Sequence, residues 1–213
     1  MQKMTLLGVL VILCLYSQAQ WGRQNLDFKE MKEPFYIGSW IKQDVPLGKV
    51  INYEDSSITL NDFKDKVIIL AFWFIQCTDC IAQFPKEDSL QKVFANDIQF
   101  VMVTFNPADK VKKFLDLYKK RTGIDIKAPV IVEDTLLSKT FRHLYDPHYA
   151  WIFPDGYIIG QTNEEFITAG NISALIKQWR LRKAFFKHLE EEKNKNAGSS
   201  PLNPIIHNKK TVL

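Results

Sequence analysis

The feature that most restricts the fold of this chain is an unbroken apolar run, Val67–Phe74 (VIILAFWF). A strand that faces water on one side alternates apolar and polar residues, whereas this run offers apolar side chains to both faces. Such a strand must lie inside a sheet that is covered on each side. A second, mostly apolar run at Ile98–Phe105 predicts another buried strand, so we expect a layered α/β domain.

Helical and turn patterns alternate with these strands. After Thr78, apolar residues recur at helical spacing to about Ala95, and Pro85 is expected to kink this helix. Pro107 and Gly123 mark the start and the end of a second helix. The other predicted elements are a hairpin of residues 48–53 and 57–60, a strand at 129–132, a short helix at 135–145, a hairpin of 149–153 and 157–161, and an amphipathic helix at 172–192. This order predicts an α/β fold with a central mixed sheet, flanking helices and an N-terminal hairpin extension.

The two ends of the chain differ from this globular pattern. Lys3, an apolar segment at 6–15 and the small residues of Ser17-Gln18-Ala19 have the layout of a secretory signal peptide, with cleavage near Ala19. Retention of this segment as an anchor, or a lipid anchor at Cys14, are alternatives that the sequence leaves open. The expected organisation is a signal peptide at 1–19, an arm at 20–47, a domain at 48–192 and a disordered tail at 193–213.

Charge and cysteine content exclude several classes of function. The net charge is only +4 and no block of lysine and arginine is present, which argues against nucleic-acid binding. Once the leader is removed, Cys77 and Cys80 are the only cysteines, too few for a secreted scaffold held by disulfides. A structural zinc site would need two further ligands beside Cys77 and Cys80, and no metal site is expected.

Cys77 and Cys80 lie where the buried strand ends and the next helix begins. The free N–H groups and the helix dipole at this position stabilise a thiolate, so Cys77 is predicted to be the nucleophile that attacks a substrate disulfide. Cys80, one turn further along, would resolve the mixed disulfide. Thr78 and Asp79, between the two cysteines, are placed to tune the couple. No bound cofactor is needed, because the cysteine pair itself holds the electrons; a static local disulfide is the alternative.

Three further features resemble thioredoxins. Phe72-Trp73 precedes the cysteines as in their active-site segment, Pro85 lies where they carry a helix-kinking proline, and residues 147–156 resemble their Pro-Thr-x-Phe-Leu-Ile-Asp-x-x-Gly segment. The N-terminal hairpin, and the helix and strand that precede Pro147, are more similar to the TlpA-like extracytoplasmic disulfide reductases and redoxins of Bacteroidetes. The resemblance implies a cis peptide bond at Pro147 and a substrate groove facing the cysteines. Its implied groove residues are Pro147, Trp73, Asp146 and His148.

One departure from thioredoxins concerns the resolving cysteine. Ala71 occupies the place where cytoplasmic thioredoxins keep a buried aspartate that assists proton transfer. Cys80 must therefore lose its proton to water or to another group, with Glu87 and His148 as candidates.

The resemblance implies an exported thiol–disulfide oxidoreductase that reduces protein disulfides and is recharged by an upstream membrane thiol reductase. A peroxide-reducing redoxin of the same fold is one alternative, but that chemistry needs a threonine and a nearby arginine, and Thr78 has no arginine close in sequence. A non-catalytic binding module is another. The basic and aromatic residues of the last helix could also contact a membrane surface, although nearby glutamates oppose this.

The leader generates a testable expectation. Protein isolated from its native host should begin at or near Gln20, because the small residues at 17 and 19 suit signal-peptidase cleavage after Ala19. N-terminal sequencing measures this directly. A mature protein that still begins at Met1 and resides in the cytosol would contradict it.

Overall fold

The computed structural model describes residues 37–196. The predicted signal peptide, most of the predicted arm and residues 197–213 lie outside this range, so the expectations for them stay predictions. The helices and strands, labelled in chain order, are β1 Val50–Ile51, β2 Val67–Phe72, α1 Thr78–Val93, β3 Ile98–Val103, α2 Ala108–Thr122, β4 Val130–Ile131, α3 Leu137–Thr140, β5 His148–Ile152, β6 Ile158–Thr162 and α4 Ala169–Asn196.

The strands form a mixed sheet in the order β1-β4-β3-β2-β5-β6. The central strand β2 runs parallel to β3 and antiparallel to β5, and β5 continues antiparallel into β6. Strand β4 is parallel to β3, while β1 is antiparallel to β4. The predicted α/β architecture with a mixed central sheet is therefore confirmed.

Strand β2 is buried on both faces, as its composition predicts. Ile68, Leu70 and Phe72 belong to the core on one side of the sheet. Val67, Ile69 and Ala71 belong to the core on the other side. Because successive side chains of a strand point in opposite directions, both layers depend on this one segment.

The two central helices begin and end where their punctuating residues predict. Cys77 is the N-cap of α1, and Pro85 lies inside that helix. Pro107 immediately precedes α2, and Gly123 ends it in the left-handed conformation with φ of 75°. A residue without a Cβ adopts this conformation at little cost, which explains why the helix stops there.

Two predicted elements are shorter than expected. The N-terminal hairpin is reduced to the two-residue β1 and one bridge between Lys49 and Ser57, because β1 pairs with β4 instead. The helix predicted at 135–145 is a single turn, α3. Backbone N–H groups at its start donate to the Asp134 carboxylate, including that of Leu137 at 2.8 Å, which caps this turn.

The described end of the arm pairs with the hairpin of β5 and β6. The Ile41 N–H donates to the Gly156 carbonyl at 2.9 Å, and the Ile158 N–H donates to the Ser39 carbonyl at 2.9 Å. Gly156 has φ of 85°, and a Cβ there would collide with the Ile41 carbonyl. The turn predicted from Pro154-Asp155-Gly156 is thus confirmed, and only glycine allows the arm to approach it so closely.

Helix α4 is longer than predicted and is fastened by ion pairs. Arg180, Arg182 and Lys183 contact Asp97, Asp155 and Asp65 at 2.7, 3.0 and 2.5 Å. These pairs occupy most of the basic residues that had suggested a membrane surface. Within residues 37–196, no helix combines the length and the apolar character that crossing a membrane requires.

A carboxylic acid lies in the core beside the sheet. Cys80, Phe84 and Glu87 are the buried residues of α1 and form one stripe of that helix. The Tyr149 hydroxyl donates to Glu87 Oε1 at 2.5 Å. Burial raises the pKa of Glu87 to about 7, although the hydrogen bond from Tyr149 opposes the shift.

This acid should make folding stability depend on pH. An unfolded glutamate ionises near pH 4.3, whereas Glu87 in the folded protein stays protonated up to about pH 7. Between these values the folded state binds more protons, so stability should fall by about 3 kcal/mol as the pH rises from 4.5 to 8. The Glu87→Gln variant should lose this slope, because glutamine still accepts the Tyr149 hydrogen bond without ionising.

Urea unfolding at several pH values measures the effect, with Glu190→Gln on the exposed part of α4 as the matched control. The control should keep the wild-type slope. Equal slopes in the wild type and Glu87→Gln would contradict the prediction.

Candidate active site

Cys77 and Cys80 form a disulfide at the start of α1, with their Cα atoms 5.3 Å apart. Cys77 Sγ also accepts a hydrogen bond from the Cys80 N–H at 3.1 Å, so the first sulfur lies among the free N–H groups of the helix N-terminus. The two cysteines are 6% and 2% exposed, so both are buried in this oxidised state. The predicted position of the pair, between a buried strand and a helix, is confirmed.

The segment before β5 lies directly against the first sulfur. Asp146 and Pro147 are joined by a cis peptide bond, as the resemblance implied. The carbonyl oxygen of Asp146 is 3.8 Å from Cys77 Sγ. Pro147 itself is buried, and His148 begins β5 opposite Phe72. Asp146 therefore lies against Cys77, and the roles of Asp146, Pro147 and His148 in a substrate groove stay predictions.

Of the other predicted site residues, Trp73 is buried in the core, whereas Thr78 and Asp79 are exposed to solvent. Trp73 is 3% exposed and packs its ring edge-on against Phe84, with ring centroids 5.2 Å apart, in the cluster that contains both cysteines. It thus supports the disulfide from the interior, and its contact with a substrate stays a prediction. Thr78 and Asp79 are exposed in the first turn of α1, and their tuning roles also stay predictions.

A second histidine, missed by the sequence analysis, stacks on His148. The rings of His143 and His148 are nearly parallel, at 8°, with centroids 4.4 Å apart. His148 Nε2 lies 3.0 Å from the amide oxygen of Gln161, and burial lowers the pKa of His148. The sequence analysis missed this contact because it expected a helix over 135–145. The helix instead ends at Thr140, and His143 lies in the segment that follows it.

Asn106 holds the loop that leads into Cys77. Its Oδ1 accepts the Ile75 N–H at 2.9 Å and the Thr104 hydroxyl at 3.1 Å. Asn106 is buried and follows β3 at the same sheet edge as the cysteines. Its signal in the sequence was a polar residue just beyond a buried strand, which the sequence analysis did not use.

The two candidates for accepting the Cys80 proton, Glu87 and His148, lie on opposite sides of the sheet. Tyr149 pairs with Ala71 across the sheet, so the small Ala71 side chain leaves space where a larger residue would crowd the tyrosine ring. Glu87 lies about two turns beyond Cys80 on α1 and is engaged by Tyr149. His148 is on the neighbouring strand, stacked on His143. Within residues 37–196 no hydrogen bond joins either group to Cys80, so the acceptor of its proton stays a prediction.

Taken together, these residues can perform thiol–disulfide exchange. Cys77, although only 6% exposed, lies at a helix N-terminus that favours its thiolate form. Cys80 is held within bonding distance, so an intramolecular attack on a mixed disulfide needs no rearrangement. The Asp146 carbonyl oxygen contacts the Cys77 sulfur, and the buried Pro147 follows it in the chain.

Comparison with known proteins agrees with this geometry. The "Thioredoxin-like protein YneN" of Bacillus subtilis is 28% identical over 62% of this chain and 74% of its own. The "Thiol-disulfide oxidoreductase ResA" of Bacillus cereus is 27% identical over 78% of this chain and 91% of its own. The thioredoxin domain of a thiol-disulfide oxidoreductase from Bacteroides vulgatus is 18% identical, covers 68% of this chain and 98% of that chain, and superposes with a TM-score of 0.51, which supports the fold.

A match to the AhpC/TSA family spans residues 41–163, more than half of the chain. That range runs from the buried end of the arm through the cysteine pair and Pro147 to the last strand, so it includes every element that builds the site. The chain therefore belongs to the AhpC/TSA family and has the thioredoxin-like fold of that family.

Proposed function

We propose that this protein is an exported thiol–disulfide oxidoreductase that reduces disulfides in polypeptides through Cys77 and Cys80. The observation that carries the proposal is the position of Cys77 Sγ, between the N-terminus of α1 and the Asp146 carbonyl. A purely structural disulfide has no need of either feature. The relatives named for thiol–disulfide exchange support the same reaction.

The reaction balances with the cysteine pair as the electron carrier. In the reduced protein, the Cys77 thiolate attacks one sulfur of a substrate disulfide, and the other substrate sulfur leaves as a thiolate that takes a proton from water. Cys80 then loses its proton and attacks Cys77 Sγ, which releases the second substrate thiol. Two electrons have moved from the protein to the substrate, and the internal disulfide remains. An external dithiol, which we propose is a membrane thiol reductase, restores the starting state.

The surface near Cys77 favours a polypeptide over a small oxidant. Leu144 and Tyr145, just before Asp146, are 90% and 83% exposed. Phe105 is also exposed and stacks on Phe74, whose carbonyl accepts the Cys77 N–H at 2.9 Å. Exposed apolar groups next to a reactive sulfur suit a partner that brings its own apolar side chains.

The second candidate is peroxide reduction, which the AhpC/TSA match makes worth testing. A peroxide needs a compact pocket with a hydroxyl and a cation beside the reactive sulfur. Thr78 follows Cys77 but is exposed in the first turn of α1, which is a poor position for such a pocket. Protein disulfides therefore remain the better substrate class.

Insulin reduction with dithiothreitol as donor tests the proposal. The wild type should accelerate insulin precipitation, whereas hydrogen peroxide should be consumed little faster than by dithiothreitol alone. Cys80→Ser should retain substrates as mixed disulfides on Cys77, because the resolving sulfur is gone. Cys77→Ser should retain few or none and serves as the matched control. Equal trapping by both variants, or rapid peroxide turnover without insulin reduction, would overturn the proposal.

Asp79 should help to make the couple reducing. A carboxylate between the cysteines repels a thiolate and so disfavours the reduced state, which lowers the reduction potential. A surface charge of this kind contributes less than about 1 kcal/mol, which corresponds to about 20 mV for a two-electron couple. Equilibration of Asp79→Asn against glutathione should therefore give a slightly more oxidising couple than the wild type, with Asp116→Asn on α2 as control. A more reducing Asp79→Asn protein would contradict the argument.

A further inference from the structure

Both ring nitrogens of His143 lie close to oxygen atoms. Nδ1 is 2.6 Å from the Phe141 carbonyl oxygen, and Nε2 is 3.0 Å from Asp146 Oδ1. With Nδ1–H donating to the Phe141 carbonyl, a neutral ring would turn the Nε2 lone pair towards Asp146 Oδ1, a buried oxygen without a hydrogen-bond partner among the described residues, whereas an imidazolium forms an ion pair with it. The geometry therefore fits the protonated ring.

The surroundings of His143 agree with a cation at this position. Burial lowers the pKa of His143, but the contacts with Asp146 and Phe141 outweigh burial, so its pKa is raised above the ordinary value. The other ionisable groups that act on it are Asp134, which favours the cation, and the stacked His148, whose own pKa burial lowers. His143 also lies against the Phe72 ring, with centroids 4.8 Å apart. These surroundings thus favour the charged form of His143 and the neutral form of His148.

Asp146 links this cation to the reactive sulfur. Its carboxylate contacts His143 Nε2, while its carbonyl oxygen contacts Cys77 Sγ at 3.8 Å. The Asp146 side chain is only 17% exposed, so water compensates its charge poorly. Without a cation beside it, this carboxylate would be a partly buried negative charge close to the position where the Cys77 thiolate forms.

We propose that His143 is a positioning residue for the thiol chemistry, which in its protonated form holds and neutralises Asp146 against Cys77. The inference rests on the proposed role of Cys77 as nucleophile and adds the group that prepares its surroundings. When His143 loses its proton, Asp146 loses its cationic partner and keeps its charge. The Cys77 thiolate is then disfavoured, and the Asp146-Pro147 peptide beside the sulfur is less firmly held.

The first test follows the rate of Cys77 alkylation by iodoacetamide against pH in the reduced protein. His143→Gln is neutral and should raise the apparent pKa of Cys77, so that the rate at pH 6 falls about threefold, as expected for half a pKa unit. His143→Arg keeps a cation and should restore most of that rate. His188→Gln, on the exposed part of α4, is the matched control and should behave as the wild type.

A second measurement does not depend on any variant folding. In the oxidised wild-type protein at pH 7, the nitrogen-15 shifts of His143 should be those of an imidazolium, and those of His148 those of a neutral ring. A neutral His143 at pH 7 would overturn the inference. So would a His143→Gln protein that is folded by circular dichroism and has the wild-type alkylation profile.

These outcomes separate the inference from the proposed function. If the wild type fails to reduce insulin but His143→Gln shifts the alkylation profile, the substrate proposal is wrong and the role of His143 stands. If insulin is reduced and the profiles of wild type and variant coincide, the oxidoreductase proposal stands and the role of His143 is wrong.

Discussion

The arrangement of the active site depends on the antiparallel register between β2 and β5. Phe72 pairs with His148, which places the peptide just before β5 beside the residues that follow β2. A slip of one residue would move the Asp146 carbonyl by about 3.3 Å along the strand and turn every β5 side chain to the opposite face. Either change would separate Asp146 from Cys77. The buried side chains on both faces of these strands are what prevent the slip.

The same register distributes two polar pairs between the two layers of the domain. Because neighbouring residues of a strand point to opposite faces, β5 sends His148 to the side of Phe72 and His143. It sends Tyr149 to the side of Ala71 and Glu87. Strand β5 therefore supplies both His148, which stacks on His143, and Tyr149, which donates a hydrogen bond to the buried Glu87.

Long patterns made most of the fold predictable from the sequence. The apolar run of β2 placed a strand buried on both sides, and the proline and glycine around α2 placed both of its ends. The segment that resembles thioredoxins placed Pro147. Short side-chain contacts with the backbone were not predictable in this way. Asp134 caps a single turn, and the bond between His143 and the Phe141 carbonyl accompanies the departure from the expected helix. Such contacts do not alter the spacing of apolar residues in the sequence, so the apolar residues of 135–145 indicated a longer helix.

Two carboxylates lie near Cys77, and their surroundings explain why only one has a cationic partner. Asp79 is exposed, so water and salt screen its charge at every pH at which it is ionised. Asp146 is mostly shielded, and a charge in that position needs a cationic partner or it destabilises both the fold and a neighbouring thiolate. His143 provides this partner only while it is protonated. The influence of Asp79 on the cysteine couple is thus weakened by screening, whereas that of Asp146 changes with the state of His143. Since His143 and Asp146 together carry no net charge, Cys77 is spared the field of an uncompensated carboxylate as long as His143 is protonated.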